Sequence, residues 1–193
     1  MAWRYESIVR AETTVGVYGG SFNPPHVAHV LAVSYVLATQ AVDRVLVVPA
    51  YDHPLGKHLA PFVHRRAMCE AALGDLRRVE VSSIESELDA PSRTLFTLRA
   101  LSAKHPTWRL RLIIGSDILD ERDKWYAWDE IVALAPPIVL GRLGHPHPEA
   151  PMALLPEVAS RDLRARIAAG EDVSALVPRA VTAYIRAHGL YGA

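Results

Sequence analysis

The stretch VYGGSFNPPHVAHVLAVSYVLATQ, residues 17–40, decides the reading of this chain. It passes from the end of an apolar run through two glycines, two prolines and two histidines into a long apolar segment. Glycines at that place let a backbone turn sharply and approach a ligand. Pro24 and Pro25 hold Asn23 and Pro24 extended, so a helix is predicted to begin at about His26. His26 and His29 then share one face of its first turn. Val27, Val30, Leu31, Ser34, Leu37, Ala38 and Ala41 follow helical spacing, and Ala32, Val33 and Val36 make the opposite face apolar too. Such a helix is expected to lie deep in the fold.

Short apolar runs of strand length recur outward from there: TTVGVY (13–18), RVLVVP (44–49), RVEVSS (78–83), RLRLIIG (109–115) and PIVLG (137–141). Helical segments alternate with them. PFVHRRAMCEAALG opens on a proline and closes on a glycine, and SRTLFTLRALSAKH opens on a serine able to cap it. Strand, helix, strand, repeated, predicts an α/β fold: a Rossmann-like three-layer α/β/α domain with a parallel sheet. The core is expected over 13–141. Residues 142–193 are expected to form a flap, where Pro146, Pro148, Pro151 and Pro156 disfavour long regular structure, and a small helical C-terminal segment. That segment holds SRDLRARIAAG, with Ser160 as its N-cap, and PRAVTAYIRAHG. The whole chain, 1–193, is taken as one domain.

Composition limits the partners. With 21 basic and 21 acidic residues the formal charge is zero, so any anion site is local and nucleic acid has no global attraction. Half of the residues are hydrophobic, which excludes a disordered tail. Residues 13–42 lack Lys, Arg, Asp and Glu, yet the run is broken at Asn23, Pro24 and Pro25, and its helical part from Val27 to Val42 falls short of the ~20 residues of a membrane span. Cys69 is the single cysteine and the opening MAWRYESIVRAE is no secretory signal, so the cytoplasm is the expected compartment. A homo-oligomer stays open.

In an open parallel sheet, ligands bind beyond the carboxyl ends of the strands, where the loop after the first strand lies. Gly19, Gly20 and the N-terminus of the next helix, with its unpaired N–H groups, therefore suggest an anion site. His26 and His29 there suit a phosphate, as hydrogen-bond donors able to carry charge near neutral pH. Two other readings stand beside this one: structural, hydrogen-bonded histidines, and a metal site drawing on His53, His58 or His64.

GGSFNPPHVAH resembles the signature of the nucleotidyltransferase superfamily, a Gly-rich turn before an H-x-G-H motif, and its Phe-Asn-Pro-Pro-His context is similar to nicotinate mononucleotide adenylyltransferases. Further segments resemble that family in order along nearly the whole chain: VPAYDHPLGK, HRRAMC, SRTLFTL, IIGSD, KWYAW, VLGRLG, ASRDLR and LVPRAVTAYIRAHGLY. The resemblance implies direct attack of a mononucleotide phosphate on the α-phosphorus of ATP, with pyrophosphate leaving and no covalent intermediate. It implies that His26 and His29 hold the ATP phosphates and that Gly19, Gly20, Ser21 and Phe22 line the nucleotide. Asp117 would lie on the adenosine side, Gly115 would let the nucleotide approach, and Arg142, Ser160 and Arg164 would bind the departing pyrophosphate. Lys57, Arg65, Thr94, Trp125 and Tyr126 fall to the mononucleotide, with Lys57 on its phosphate and Trp125 stacked on the pyridine ring. Mg²⁺ would arrive on ATP.

The sequence departs from the family pattern at Ala28, where the motif has Gly, at Ala159 and Arg161, where hydroxyl residues are usual, and at Phe96, where an acid is common. The same fold serves nicotinamide mononucleotide, phosphopantetheine and FMN as acceptors; Trp125 and the Lys57 loop favour a pyridine mononucleotide. A noncatalytic nucleotide-binding regulator is the reading from another class, and Ala28 and Arg161 are its only hints. An aminoacyl-tRNA synthetase fragment is set aside, because a Lys-Met-Ser-Lys-Ser segment and a basic bias are both missing from the sequence.

Overall fold

The structure, a computed structural model, describes residues 12–52, 59–89, 92–150 and 152–193. Its sheet is six-stranded and parallel: β1 (Thr13–Gly20), β2 (Arg44–Pro49), β3 (Val79–Val81), β4 (Trp108–Gly115), β5 (Pro137–Arg142) and β6 (Ala153–Leu155), in the order β3-β2-β1-β4-β5-β6. The chain winds outward from β1 to β3, then crosses back to lay β4 on the other side of β1. That reversal opens a crevice between the carboxyl ends of β1 and β4, where an open sheet receives ligands.

The strands are apolar on both faces, as a covered parallel sheet requires. Along β2, Leu46 and Val48 face one layer while Val45 and Val47 face the other, the period of two that a pleated strand imposes. The first layer is closed by α3 (Thr94–Lys104) and α4 (Trp128–Leu134), through Leu95, Leu98, Leu101 and Ile131. The second is closed by α1 (Val27–Thr39) and α2 (Phe62–Leu73), through Ala32, Val33, Val36, Cys69 and Leu73. A third cluster joins Met68 of α2 to α5 (Ser160–Ala168) and α6 (Arg179–Ala187), through Leu163, Ile167, Val181 and Ile185. The Rossmann-like three-layer architecture is as expected, with the C-terminal helices packed on α2. Among the described residues no helix is long and apolar enough to cross a membrane.

Four local expectations need correction. Helix α1 lies less deep than expected: Ala28, Ala32, Val33 and Val36 are buried, while Leu31 is 41% exposed and Ser34 and Ala38 face water. Ser160 is the first residue of α5 and Ala159 its N-cap, because the Ser160 hydroxyl is drawn away to donate to the Pro24 carbonyl at 3.0 Å. Likewise Arg93 caps α3, and the Ser92 hydroxyl accepts from the Asp52 N–H instead. The Pro-rich flap contains a strand after all, β6, with bridges at Arg142–His145 and His147–Ala150.

Candidate active site

The first turn of α1 sits at the crevice, as its prolines imply. His26 is the N-cap, in extended backbone, and its N–H donates to Nδ1 of His29 at 3.0 Å. The two rings stack at 3.8 Å and 30°. Because Nδ1 of His29 is occupied as an acceptor, its proton resides on Nε2, which makes His29 a neutral donor. His26 is 4% exposed, and its Nδ1 has no partner among the described residues. Burial, with Arg142 as a second cause, pushes His26 down to about 4. Burial first, then His26 and Arg142, holds His29 well below its ordinary range. The expectation that these imidazoles carry charge near neutral pH is thus corrected for the free protein: both are neutral there.

The neutral His26 has a consequence for stability. Its folded pKa lies below the unfolded value, so between those values the unfolded chain binds more protons. The stability this brings is fully present above pH ~6.5 and is lost as the pH falls toward about 4. The expected loss over that window is about 3 kcal/mol from His26. Denaturant unfolding at successive pH values should show it, and the His26→Gln variant should show a flatter dependence.

The anion site at the start of α1 is more occupied by protein than the sequence suggests. Val27 N–H donates to the Leu176 carbonyl at 2.8 Å, His29 N–H to the His26 carbonyl, and His26 N–H to His29. The flank of Gly19 is open, with nothing among the described residues within 4 Å of where a Cβ would stand. Phe22 lines nothing with its side chain: it is fully buried under His29, ring centroids 4.8 Å apart, with its backbone at φ 45°.

Across the crevice, Ser116 follows Gly115 at the end of β4. Its hydroxyl donates to the His145 carbonyl at 2.6 Å and accepts from Arg142 N–H at 2.9 Å, tying β4 to β5. The Arg142 guanidinium pairs with Asp117 Oδ2 at 3.1 Å and donates to the Val158 carbonyl at 2.7 Å. Asp117 Oδ1 is buried with no partner among the described residues. A Cβ at Gly115 would collide with that same Oδ1, so the glycine makes room for Asp117. From α5, Ser160 donates to the Pro24 carbonyl and Arg164 to the Asn23 carbonyl at 2.8 Å, latching the helix onto the signature loop.

Arg65 is 1% exposed and is spent on the backbone, donating to the carbonyls of Ala60, Ser21 and Tyr51. Tyr51 N–H in turn donates to Glu85, which also accepts from the Thr97 hydroxyl at 2.8 Å. A chain of bonds thus runs from the signature loop to α3. Thr94 opens α3. Beside that helix, Tyr126 is 51% exposed, with Phe96 at 5.7 Å and the Arg93 guanidinium 4.6 Å over its ring. Trp125 precedes α4 and is not part of it; its ring meets Trp128 edge-on at 5.6 Å and borders an open groove of about 600 Å³. Trp128, inside α4, packs partly buried against the core beneath that helix, as Trp125 does.

Lys57, His53 and His58 lie outside the described residues. His64 is on α2, bonded to the Tyr184 hydroxyl of α6 at 3.0 Å, and among the described residues no three His, Cys, Asp or Glu side chains come together to hold a metal. Of the departures, Ala28 is buried on the core face of α1, and Arg161 is an exposed residue paired with Asp162. Asn23, Ser116, Glu85 and Tyr191 are the site residues that sequence reasoning missed.

Residues 17–166 match the family model described as cytidylyltransferase-like. The chain is 51% identical over 181 residues to a probable nicotinate-nucleotide adenylyltransferase of Anaeromyxobacter sp. (strain K), covering 92% of this chain and 96% of that one. It is 45% identical over 185 residues to the similarly described protein of Myxococcus xanthus, covering 95% and 97%. In three dimensions it is similar to the Plasmodium falciparum nicotinic acid mononucleotide adenylyltransferase complexed with NaAD, with a TM-score of 0.80 at 19% identity over 93% of this chain and 97% of that one.

Proposed function

This chain belongs to the cytidylyltransferase-like family, and from that premise we propose that it is an adenylyltransferase joining Mg–ATP and nicotinate mononucleotide to give the deamido dinucleotide and pyrophosphate. The observation that carries the reading is the pair of stacked, neutral imidazoles at the β1/β4 crevice, facing a region governed by Arg142. The acceptor follows the names of the relatives and the position of Trp125.

In this reading the mononucleotide phosphate oxygen forms a bond to the α-phosphorus as the bond to the bridging oxygen of pyrophosphate breaks. The protein positions and neutralises. His29 donates from Nε2, and His26, stacked on it and with Nδ1 unpartnered among the described residues, is the second donor to the phosphates. Both are neutral before binding, and polyphosphate beside them raises their pKa values, so charge develops on the imidazoles only where it has a counterpart. The Gly19, Gly20 and Ser21 backbone lines the nucleotide, and Asp117 faces its adenosine while aiming Arg142. Arg142, Ser160 and Arg164 receive the pyrophosphate. Lys57, Thr94, Trp125 and Tyr126 hold the mononucleotide, and Arg65 is a positioning residue for the loops that carry them. Mg²⁺ enters with ATP as part of the substrate. The same proposal takes residues 1–193 as one transferase domain acting in the cytoplasm, without a nucleic acid or membrane partner.

The test is pyrophosphate release from Mg–ATP with nicotinate mononucleotide, nicotinamide mononucleotide or phosphopantetheine, with the product identified by mass. Preference for the nicotinate acceptor supports the proposal; ATP binding without release for any acceptor refutes turnover. Trp125→Ala should raise KM for the mononucleotide about fivefold to tenfold, the scale of an aromatic stack, and leave that of ATP in place. Equal losses for both substrates would remove Trp125 from the acceptor site.

A further inference from the structure

We propose that Asn23 is a further substrate-binding residue, its side-chain amide donating to a phosphate oxygen of a bound nucleotide, and that Tyr191 is the residue that positions it. The inference deepens the functional reading above and rests on it for the presence of phosphate.

Asn23 is 1% exposed. Its Oδ1 accepts from Ala60 N–H at 3.2 Å and from the Tyr191 hydroxyl at 2.7 Å. A backbone N–H can only donate, so this atom is the oxygen, and the other terminal atom is the NH₂ group. That Nδ2 is buried and has no acceptor among the described residues. A buried donor without a partner is costly, and it persists where a ligand supplies what the fold does not. Its surroundings select an anion: Arg164 donates to Asn23's own carbonyl, and His26 follows three residues on with the field of Arg142 upon it.

Tyr191 is built for one orientation. After α6 the chain closes in a short turn over Leu190–Gly192, with Gly189 at φ 57°, Tyr191 at φ 60° and Gly192 at φ 84°. Glycine takes left-handed backbone freely, whereas a tyrosine there is strained and stays only when its contacts over-determine it. The contact in question is the hydroxyl on Asn23, and burial pushes that hydroxyl's pKa up, so it remains a donor. With Oδ1 held from two directions the amide plane is fixed, and Nδ2 is aimed before any ligand arrives.

The experiment is calorimetric titration of Mg–ATP and, separately, of nicotinate mononucleotide into wild type, Asn23→Asp, Tyr191→Phe and the double variant. Asn23→Asp keeps both accepted bonds and replaces the donor with a carboxylate oxygen. It should weaken one nucleotide at least about 30-fold, identifying whose phosphate is bound, and leave the other within about twofold. Tyr191→Phe should weaken the same nucleotide about fivefold and add nothing in the double variant. Asn23→Asp binding both nucleotides like wild type overturns the proposal. So does Tyr191→Phe weakening both equally, together with its melting temperature, which is what a merely structural hydroxyl would do. Should Asn23→Asp fail to fold, unchanged binding in Tyr191→Phe overturns it alone. Wild-type turnover measured alongside keeps the two readings apart: selective binding losses without turnover leave Asn23 as a phosphate ligand and refute the transferase.

Discussion

The His26→Ala variant should release pyrophosphate from Mg–ATP and nicotinate mononucleotide about 10²–10³-fold more slowly than wild type, the scale of losing one preorganised donor at a reacting oxyanion. The substitution takes away the ring stacked on His29 at 3.8 Å and the side chain at the mouth of the β1/β4 crevice. It removes no intramolecular hydrogen bond at Nδ1, which has no partner among the described residues. The backbone N–H that orients His29 is retained, so that ring keeps its tautomer. The fold should therefore persist, with a melting temperature near that of wild type above pH 7. The variant should also withstand acid better, because the imidazole that resists protonation is gone. Steady-state rates with circular dichroism on the same sample check this. A rate within threefold of wild type would place the reacting phosphate away from His26.

The second large effect is on the fold. A methyl at Gly141 would meet the Met152 carbonyl oxygen and stand 2.9 Å from that of Ala150. Both are backbone atoms of the segment that β6 lays against β5, where Gly141 pairs with Ala153. A backbone cannot step aside as a long side chain does, so Gly141→Ala should displace that edge at a cost of about 3 kcal/mol. For a chain of this size that lowers the melting temperature by roughly 6–12 °C. Arg142 is the next residue, and its pairing with Asp117 should loosen too, lowering the rate beyond what stability explains. Thermal unfolding of the variant decides it; a shift under about 2 °C would mean that the flap yields freely.

Much of this was legible in the sequence because it is local. β1 to β5 are apolar runs bounded by breakers, and period and punctuation suffice to find them. β6, three residues among prolines, has no pattern of its own and exists because β5 offers an edge. His26 and His29 were legible from spacing, since two positions in one helical turn must be neighbours. Their charge state was not, because it is set by burial and by Arg142, 113 or more positions away. Ser160 reads as a cap from its position, yet it begins the helix and its hydroxyl donates to a carbonyl at residue 24. Asn23, Glu85 and Arg65 are each buried on partners distant along the chain, which no local pattern marks.

The closing turn also fixes when the site becomes whole. Its bond from Tyr191 to Asn23 spans 168 positions, while the pairing of β1 with β4 begins at Thr13 and Trp108. Contacts so distant along the chain form late, since the entropy of closing the intervening loop must be met first. A chain emerging from the ribosome can therefore complete its sheet while the Asn23 amide still lacks one of the two bonds that fix it. The crevice at Asn23 therefore acquires its final shape only once the chain has reached Tyr191, well after the strands that frame it can pair.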